Sequence, residues 1–387
     1  MRRLPALALA LALLLPASAS AQGGVGNLFV ADNATTAATA AAAAPLQPAA
    51  LGNHTVNLPA GFSIRQIADG LKAPRFMVFD QAGNLLVAEA GAGAVDRLFS
   101  SPNGFGSPTT LISGLDAPSS LALNGGELYV GETGAVSRYA YDPAGAAGQR
   151  EVVVPDLPRG GHSTRTVVFG PDGDLYVGVG SSCNICTDGD QRRAAINRYD
   201  ADGSKYERFA YGLRNAVGLA FQPGGTQLWA TVNERDNQGN EIPPDLVTIV
   251  GEGENFGWPN CQPPNATPQQ PGADCSDITP PTVGLQAHGA PLGLAFYEAS
   301  QFPGDYSGDL FVAQHGSWNR QPPAAPKLVR LHFEQGLPVS AMDFATGWQA
   351  ADGSRWGRPA GVVVAPDGSL IVSDDDAGVL YQIDYHG

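Results

Sequence analysis

The segment RGGHSTRTVVFGPDGDLYVGVG (159–180) contains two short apolar runs, TVVF and LYVGV, which are joined by the turn sequence GPDG. Runs this short, rich in Val, Leu, Phe and Tyr and separated by a Gly-containing turn, are typical of a β-hairpin and not of a helix. The same arrangement recurs along the chain. The copies are residues 70–90, 114–133, 159–180, 212–234, 288–315 and 356–376.

A third strand and usually a fourth follow each hairpin, as in AVSRYAY (135–141) and EVVVPDL (151–157) after the second copy. Three or four antiparallel strands repeated about every 45 residues are typical of β-propeller blades. The sequence therefore predicts an all-β, six-bladed propeller of four-stranded antiparallel blades. The last copy has no fourth strand after Tyr385, whereas FSIRQIA (62–68) precedes the first copy without a blade of its own. We expect this N-terminal strand to complete the last blade and close the ring.

The composition sets limits on location and partners. The 387 residues carry a formal net charge of −15, which argues against nucleic-acid binding because phosphate affinity depends on Lys and Arg. Residues 1–21 have the charged, apolar and A-x-A regions of a secretory signal peptide, and no later run is apolar enough to span a membrane. Residues 22–57 are predicted to be an Ala/Thr/Pro-rich linker and residues 58–387 the propeller. We expect a periplasmic or secreted protein.

Four cysteines are present, and an exported protein meets an oxidising environment. The simplest prediction is two local disulfides, Cys183 with Cys186 and Cys261 with Cys275. Two alternatives for the CxxC pair fit less well: haem attachment needs a His where Thr187 stands, and a redox dithiol needs a thioredoxin-like context.

Basic residues recur at one position of the repeat. In a propeller the residues just before each innermost strand converge on one mouth of the central channel, and only three of the 22 basic residues are Lys. The residues predicted at this mouth include Arg75, His162, Arg165, Arg214, Asn215 and Arg358, with Arg320 added by an insertion in the fifth copy. Each Arg alone has a structural explanation, as an inter-blade ion pair or a strand-end cap. Together they favour a polyanionic ligand on the axis.

His162 is the candidate general base. It follows Gly160 and Gly161, which allow the backbone to approach a ligand closely, and His has an ordinary pKa suited to proton abstraction near neutral pH. A lone His is more often held by a local hydrogen bond without a chemical role, so the neighbouring arginines carry part of this prediction.

Four long sequence motifs, taken in their order along the chain, resemble those of a known protein family. They are HSTRTVVFGPDGDLYVGVGSSCNIC (162–186), YGLRNAVGLAFQPGGTQLWATVNERDNQG (211–239), HGAPLGLAFY (288–297) and GRPAGVVVAPDGSLIVSDDDAGVLYQI (357–383). Together they resemble the soluble quinoprotein sugar dehydrogenases, and within these the sorbosone dehydrogenase-like and pyranose dehydrogenase branch. The similarity extends from Leu58 to Tyr385.

The resemblance implies an enzyme that binds pyrroloquinoline quinone (PQQ), an ortho-quinone with three carboxylates, together with Ca²⁺. His162 would remove a hydroxyl proton from a sugar or sugar aldehyde while a hydride goes to the quinone. Arg214 and Asn215 match the family's cofactor-binding pair, and Arg358 matches the first of its C-terminal arginines. Backbone carbonyls in the loop at Glu234 and Arg235 would hold the metal, since oxygen ligands suit a hard cation. Electrons would leave to an external acceptor, a cytochrome or a quinone, because no haem-binding CxxCH is present.

Two positions depart from the glucose-specific branch. Its second C-terminal Arg corresponds to Ala360 here, and its fifth-blade Lys is replaced by HGSWNR (315–320), from which His315, Trp318 and Arg320 are the candidate cofactor ligands. Glucose specificity is therefore not transferred. Two other functions stay open: a six-bladed lactonase with calcium on the axis, using Glu89, Glu132 and Asp374, and a propeller that binds without catalysis.

Overall fold

Six antiparallel sheets follow one another around an axis in the computed structural model of the chain, which describes residues 28–29 and 45–387. The innermost strands of neighbouring sheets contact each other in a closed cycle. The predicted all-β, six-bladed propeller is confirmed. The innermost strands are Pro74–Phe79, Ser120–Asn124, Arg165–Phe169, Ala216–Phe221, Pro291–Phe296 and Pro359–Val364.

Three further strands complete each blade outward from the axis. The second strands are Leu85–Glu89, Glu127–Glu132, Leu175–Val179, Leu228–Val232, Leu310–Gln314 and Leu370–Asp374. The third strands are Ala94–Leu98, Ala135–Ala140, Ala195–Tyr199, Asp245–Val250, Lys327–Glu334 and Val379–Tyr385. The fourth strands are Thr109–Ser113, Glu151–Val154, Glu207–Tyr211, Val283–Leu285, Leu337–Thr346 and Phe62–Ala68. Tight turns set the register, as where Phe169 pairs with Leu175 across GPDG.

The ring is closed by the N-terminal strand. Phe62–Ala68 pairs antiparallel with Val379–Tyr385, with Ile64 opposite Ile383. The predicted closure is confirmed, and Val379–Tyr385 is paired with a neighbouring strand along both of its edges.

Short elements lie outside the four-stranded pattern. Leu28–Phe29 pairs parallel with the outer strand of blade 4, and a single 3₁₀ turn occupies Gly304–Tyr306. Two small hairpins are formed by Ser100–Ser101 with Gly104–Phe105 and by Cys261–Gln262 with Thr267–Pro268. None of the helices in residues 28–29 and 45–387 is long and apolar enough to cross a membrane.

The predicted linker needs one correction. Gln47–Leu51 and His54–Leu58 form a hairpin whose Asn57 pairs with Thr346, so they extend the sheet of blade 5. The reason is that Leu51, Val56 and Leu58 are buried in the apolar cluster between blades 5 and 6, which the Ala/Thr/Pro composition concealed. Ordered structure thus begins before residue 58. The predicted signal peptide lies outside the described residues.

The apolar core is divided into layers between neighbouring blades. Side chains from facing sheets interlock in each layer, as Leu86 and Val95 of blade 1 do with Leu121 and Leu128 of blade 2. A separate small cluster of Val217, Leu292 and Ala360, with Phe76 against it, lies on the innermost strands. Ala360 therefore belongs to apolar packing at the axis.

Candidate active site

A cavity of about 280 Å³ lies where the innermost strands begin. It is polar at its sides, and Val217 and Leu292 of the axial cluster line it as well. The residues predicted from the sequence that line it are Arg75, His162, Arg214, Asn215, Glu234, His315, Trp318 and Arg358. The repeat therefore brings side chains from blades 1, 3, 4, 5 and 6 to one site, which is the convergence expected from their common position.

His162 is held in one tautomer by the backbone. Its Nδ1 lies 2.9 Å from the carbonyl oxygen of Ser181, and a carbonyl only accepts, so Nδ1 carries the proton and Nε2 does not. The Ser181 hydroxyl is 3.1 Å from Nδ1 and itself donates to the carbonyl of Cys183 at 2.6 Å. Gly161 permits this approach, since a Cβ there would lie 2.4 Å from the Cα of Ser182. The imidazole thus offers an unprotonated Nε2 as a proton acceptor.

The charge state of His162 suits that role. Burial, and then the positive charge of Arg214, lower the pKa of His162 to about 4, so the imidazole is neutral at pH 7. A neutral imidazole can accept a proton from a hydroxyl, whereas an imidazolium cannot.

We expect the His162 imidazole of the apo protein to titrate near pH 4 and to carry its proton on Nδ1 at neutral pH. Long-range ¹H–¹⁵N spectra recorded across the acidic range would report both the pKa and the tautomer, and the His162→Gln variant would assign the signal. A midpoint at the ordinary value of 6.5, or a proton on Nε2, would contradict this description of the site.

Arg214 is buried and connects several loops. Its Nη1 donates to the carbonyls of Asn233 at 3.2 Å and Glu234 at 2.7 Å, and its Nη2 pairs with the carboxylate of Asp236 at 2.6 Å. Next to it, the Oδ1 atom of Asn215 is buried and has no hydrogen-bond partner within the described part of the chain. An unpaired buried acceptor beside a cavity is unfavourable unless a ligand or an ion satisfies it.

A second cluster is built around Asp375. Its carboxylate accepts from Arg75 Nη1 at 2.5 Å and from His315 Nε2 at 2.6 Å. Although burial acts in the opposite direction, the hydrogen bond from His315 and the charge of Arg75 lower the pKa of Asp375 to about 2. Among residues 28–29 and 45–387, the guanidinium of Arg358 donates only to the carbonyls of His315 at 2.9 Å and Gly316 at 3.1 Å. Arg358 makes no ion pair with a carboxylate in residues 28–29 and 45–387, so its charge is available to a ligand.

Three predicted residues do not line the cavity. Arg165 is fully buried and donates to the carbonyls of Pro158, His162 and Thr164, as a strand-end cap does. Arg320 pairs with both carboxylate oxygens of Glu241. Arg235 is fully buried, pairs with Glu234 and donates to the carbonyl of Cys261 at 2.6 Å. The expectation that Arg165 and Arg320 reach the axial ligand is therefore corrected.

Two polar residues near the cavity, Asn184 and Asp375, were not predicted, and Asp236 was predicted only as a member of the metal-binding loop, with no role for its side chain. Asp236 and Asp375 follow second strands, and the run SDDD (373–376) is the only local sign of the latter. Asn184 lies inside the CxxC pair, whose disulfide is present, as is the one between Cys261 and Cys275. Both predicted disulfides are confirmed.

The model of the family described as TrAA12-like matches residues 56–263 and 250–386. The chain belongs to the TrAA12-like family. The predicted similarity to quinoprotein sugar dehydrogenases is confirmed, because relatives and structural neighbours of this TrAA12-like protein carry those names.

Two curated relatives illustrate the similarity. A pyrroloquinoline quinone-dependent pyranose dehydrogenase of Coprinopsis cinerea is 28% identical over 85% of this chain, which covers 54% of that longer protein. A pyrroloquinoline quinone-dependent sugar dehydrogenase of Hypocrea jecorina is 26% identical over 83% of this chain and 87% of its own length.

Solved structures agree with the fold. The holo form of the PQQ domain of the Coprinopsis cinerea pyranose dehydrogenase superposes with a TM-score of 0.75 at 25% identity, over 87% of this chain and 98% of that domain. A calcium structure of a Trichoderma reesei family AA12 protein superposes with a TM-score of 0.74 at 24% identity, over 87% of this chain and all of that chain.

The loop predicted to hold a metal ion in this TrAA12-like protein is close to the cavity. Asn233, Glu234 and Asp236 line the cavity, but Arg235 does not. The Glu234 carbonyl accepts from Arg214 and keeps a second lone pair, so an oxygen-preferring cation could still bind there. In the chain that the structure describes, no three His, Cys, Asp or Glu side chains are grouped to hold a metal.

The acids considered for a lactonase have another role in the TrAA12-like fold. Glu89, Glu132 and Asp374 accept the backbone N–H groups of residues 72, 116 and 358 at 2.5, 2.9 and 2.8 Å. Each carboxylate thus fixes the segment that enters an innermost strand, and none lines the axial cavity. The lactonase alternative loses its proposed calcium ligands.

Proposed function

We propose that this TrAA12-like protein is an exported PQQ-dependent dehydrogenase that oxidises a sugar or a sugar aldehyde. The observation that carries the proposal is a neutral His162 with its proton fixed on Nδ1, facing a cavity that also contains Arg75, Arg214 and Arg358. The names of the relatives support the same activity.

The residues of the cavity fit PQQ. Three guanidinium groups suit a tricarboxylate, and Arg358 has no carboxylate of its own to pair with among residues 28–29 and 45–387. The buried, unsatisfied Oδ1 of Asn215 adds an acceptor for a polar group of the ligand. Arg75, Arg214, Asn215 and Arg358 are the proposed cofactor ligands, with His315 and Trp318 at the remaining sides.

The substrate carbon would be a sugar hemiacetal or a hydrated aldehyde, in which one carbon carries both a C–H and an O–H bond. Both bonds break and a C=O bond forms. His162 Nε2 takes the hydroxyl proton, and the carbonyl of Ser181 holds the imidazole in position while it does so. When bound, the quinone would accept the hydride with both electrons. Trp318, which is 73% exposed, offers an aromatic surface at the rim for the sugar ring.

Calcium is proposed as the second cofactor. The carbonyls of Asn233 and Glu234 are the protein ligands that the loop offers, and the carboxylate of Asp236 lies beside them. An external cytochrome or quinone is proposed as the electron acceptor, because the chain has no CxxCH motif. Export is supported by the two disulfides.

Reconstitution tests this function. Apo protein incubated with PQQ and Ca²⁺ should gain a bound chromophore and should reduce a redox dye when aldoses, sorbosone or simple alcohols are added. Omitting PQQ is the control. A lactonase would instead release acid without reducing dye, and a binding module would bind PQQ or sugar without turnover; either result would overturn the proposal.

A further inference from the structure

The Cys183–Cys186 loop lies between the second and third strands of blade 3 and has no regular secondary structure. We propose that this loop, through Asn184, is a positioning element that holds Arg214 and the 233–236 loop in the arrangement that binds the cofactor. The inference rests on the proposed function for the identity of that cofactor.

The side chain of Asn184 fixes the backbone of Asp236 at two points. Its Oδ1 accepts the Asp236 N–H at 2.8 Å, and its Nδ2 donates to the Asp236 carbonyl at 2.9 Å. A side-chain amide has its acceptor and its donors on two separate atoms, so it can bind the N–H and the carbonyl of one residue together, whereas an ionised carboxylate cannot donate. Blade 3 therefore determines the position of a loop that belongs to blade 4.

The backbone of Asn184 orients Arg214 directly. Its carbonyl accepts from Arg214 Nε at 3.2 Å and from the indole N–H of Trp258 at 2.9 Å. Since Arg214 also pairs with Asp236, the three residues form a closed cycle of hydrogen bonds. Breaking the Asn184 contacts leaves Arg214 with fewer constraints on the direction of its guanidinium group.

The other end of the loop reaches His162. The carbonyl of Cys183 accepts from the hydroxyl of Ser181, whose own carbonyl holds His162 Nδ1. The carbonyls of two adjacent residues therefore contact both parts of the site. That of Cys183 binds the Ser181 hydroxyl next to His162, and that of Asn184 binds Arg214. The Cys183–Cys186 disulfide closes the loop that contains both carbonyls, which limits their movement relative to each other.

These contacts differ from those of a residue that serves folding alone. Asn184, Cys183 and Cys186 are half-buried and belong to none of the apolar clusters between blades. Within the described part of the chain, the hydrogen bonds of Asn184 go to Arg214, Asp236 and Trp258. Two of these three line the cavity.

Asn184→Ala tests the inference, with Asn197→Ala as the matched control. Asn197 is in the same blade, and its Nδ2 likewise donates to backbone carbonyls, those of Val177 and Arg192, neither of which lines the cavity. We expect Asn184→Ala to weaken PQQ binding about 10- to 100-fold, by analogy with the range for outer contacts that orient metal-binding residues. In the apo protein it should also remove the hydrogen-exchange protection of the Asp236 amide. Asn197→Ala should change neither quantity.

A second pair of variants examines the disulfide. Cys183→Ser with Cys186→Ser should weaken PQQ binding in the same direction, while Cys261→Ser with Cys275→Ser should leave it near the wild-type value. Wild-type PQQ affinity and a protected Asp236 amide in Asn184→Ala would overturn the inference. If the wild-type protein bound no PQQ, the proposed function would fail, yet hydrogen exchange in the apo protein would still decide whether Asn184 holds the 233–236 loop.

Discussion

Replacing His162 with Gln should lower kcat at least about a hundredfold and leave PQQ bound, because the loss of a general base costs at least that much. Gln fills a similar volume, but its amide cannot accept a proton at neutral pH. Single-turnover reduction of the bound quinone by substrate, followed by absorbance, would measure the step in which the proton is removed.

The control for this variant is His386→Gln. His386 is exposed and hydrogen-bonds to Ser63 on the outer strand of the last blade, so kcat should not change. A His162→Gln protein with near-normal turnover would show that another group accepts the proton. His315, whose Nε2 hydrogen-bonds to Asp375, would then be the next candidate for the general base, since it lines the same cavity.

Arg358→Ala should raise the Kd for PQQ by about ten- to more than a hundredfold, which corresponds to the loss of about 1.5–3 kcal/mol for a hydrogen bond to a charged group. The melting temperature of the apo protein should change little, because the Arg358 guanidinium is half-buried and, within the described residues, donates only to two carbonyls. A quinone titration at saturating Ca²⁺, with melting curves run in parallel, measures both quantities.

Arg320→Ala is the informative comparison. The sequence places Arg320 near the same mouth, but in the structure its guanidinium pairs with Glu241 outside the cavity. We expect unchanged PQQ affinity in this variant. A lower melting temperature with unchanged affinity in Arg358→Ala as well would mean that the arginines at the mouth are structural, and the case for a polyanionic cofactor would then rest on the relatives alone.

The fold could be predicted from the sequence because each blade is encoded locally. Alternating apolar runs and Gly-containing turns define the hairpins. The strand at residues 62–68 belongs to no repeat of its own, and the last blade is the one that lacks a fourth strand. The hairpin at residues 47–58 could not be predicted in the same way. Its burial depends on Val56 and Leu58 meeting blades 5 and 6, which are far away in sequence.

Part of the candidate site could also be predicted from the repeat. Repeat position determines where a backbone lies, so His162, Arg214 and Arg358 were found at the mouth. It does not determine the direction of a side chain: Arg165, three residues after His162, turns inward to cap carbonyls. Asn184, Asp236 and Asp375 belong to loops of different blades, and only the packing of those blades brings them to the cavity.

The closing of the ring by residues 62–68 also bears on how the chain folds. Arg65 hydrogen-bonds to Gln382, which is 317 positions later in the chain, so the last blade depends on contacts that are very distant in sequence. Contacts of this kind form slowly, because a long loop must close before they stabilise anything. Until residues 379–385 are available, Leu370–Asp374 and Phe62–Ala68 each lack the strand that lies between them, and unpaired edges of this kind favour association with other chains. A stop codon just before these residues should therefore yield aggregated protein and not a shortened enzyme.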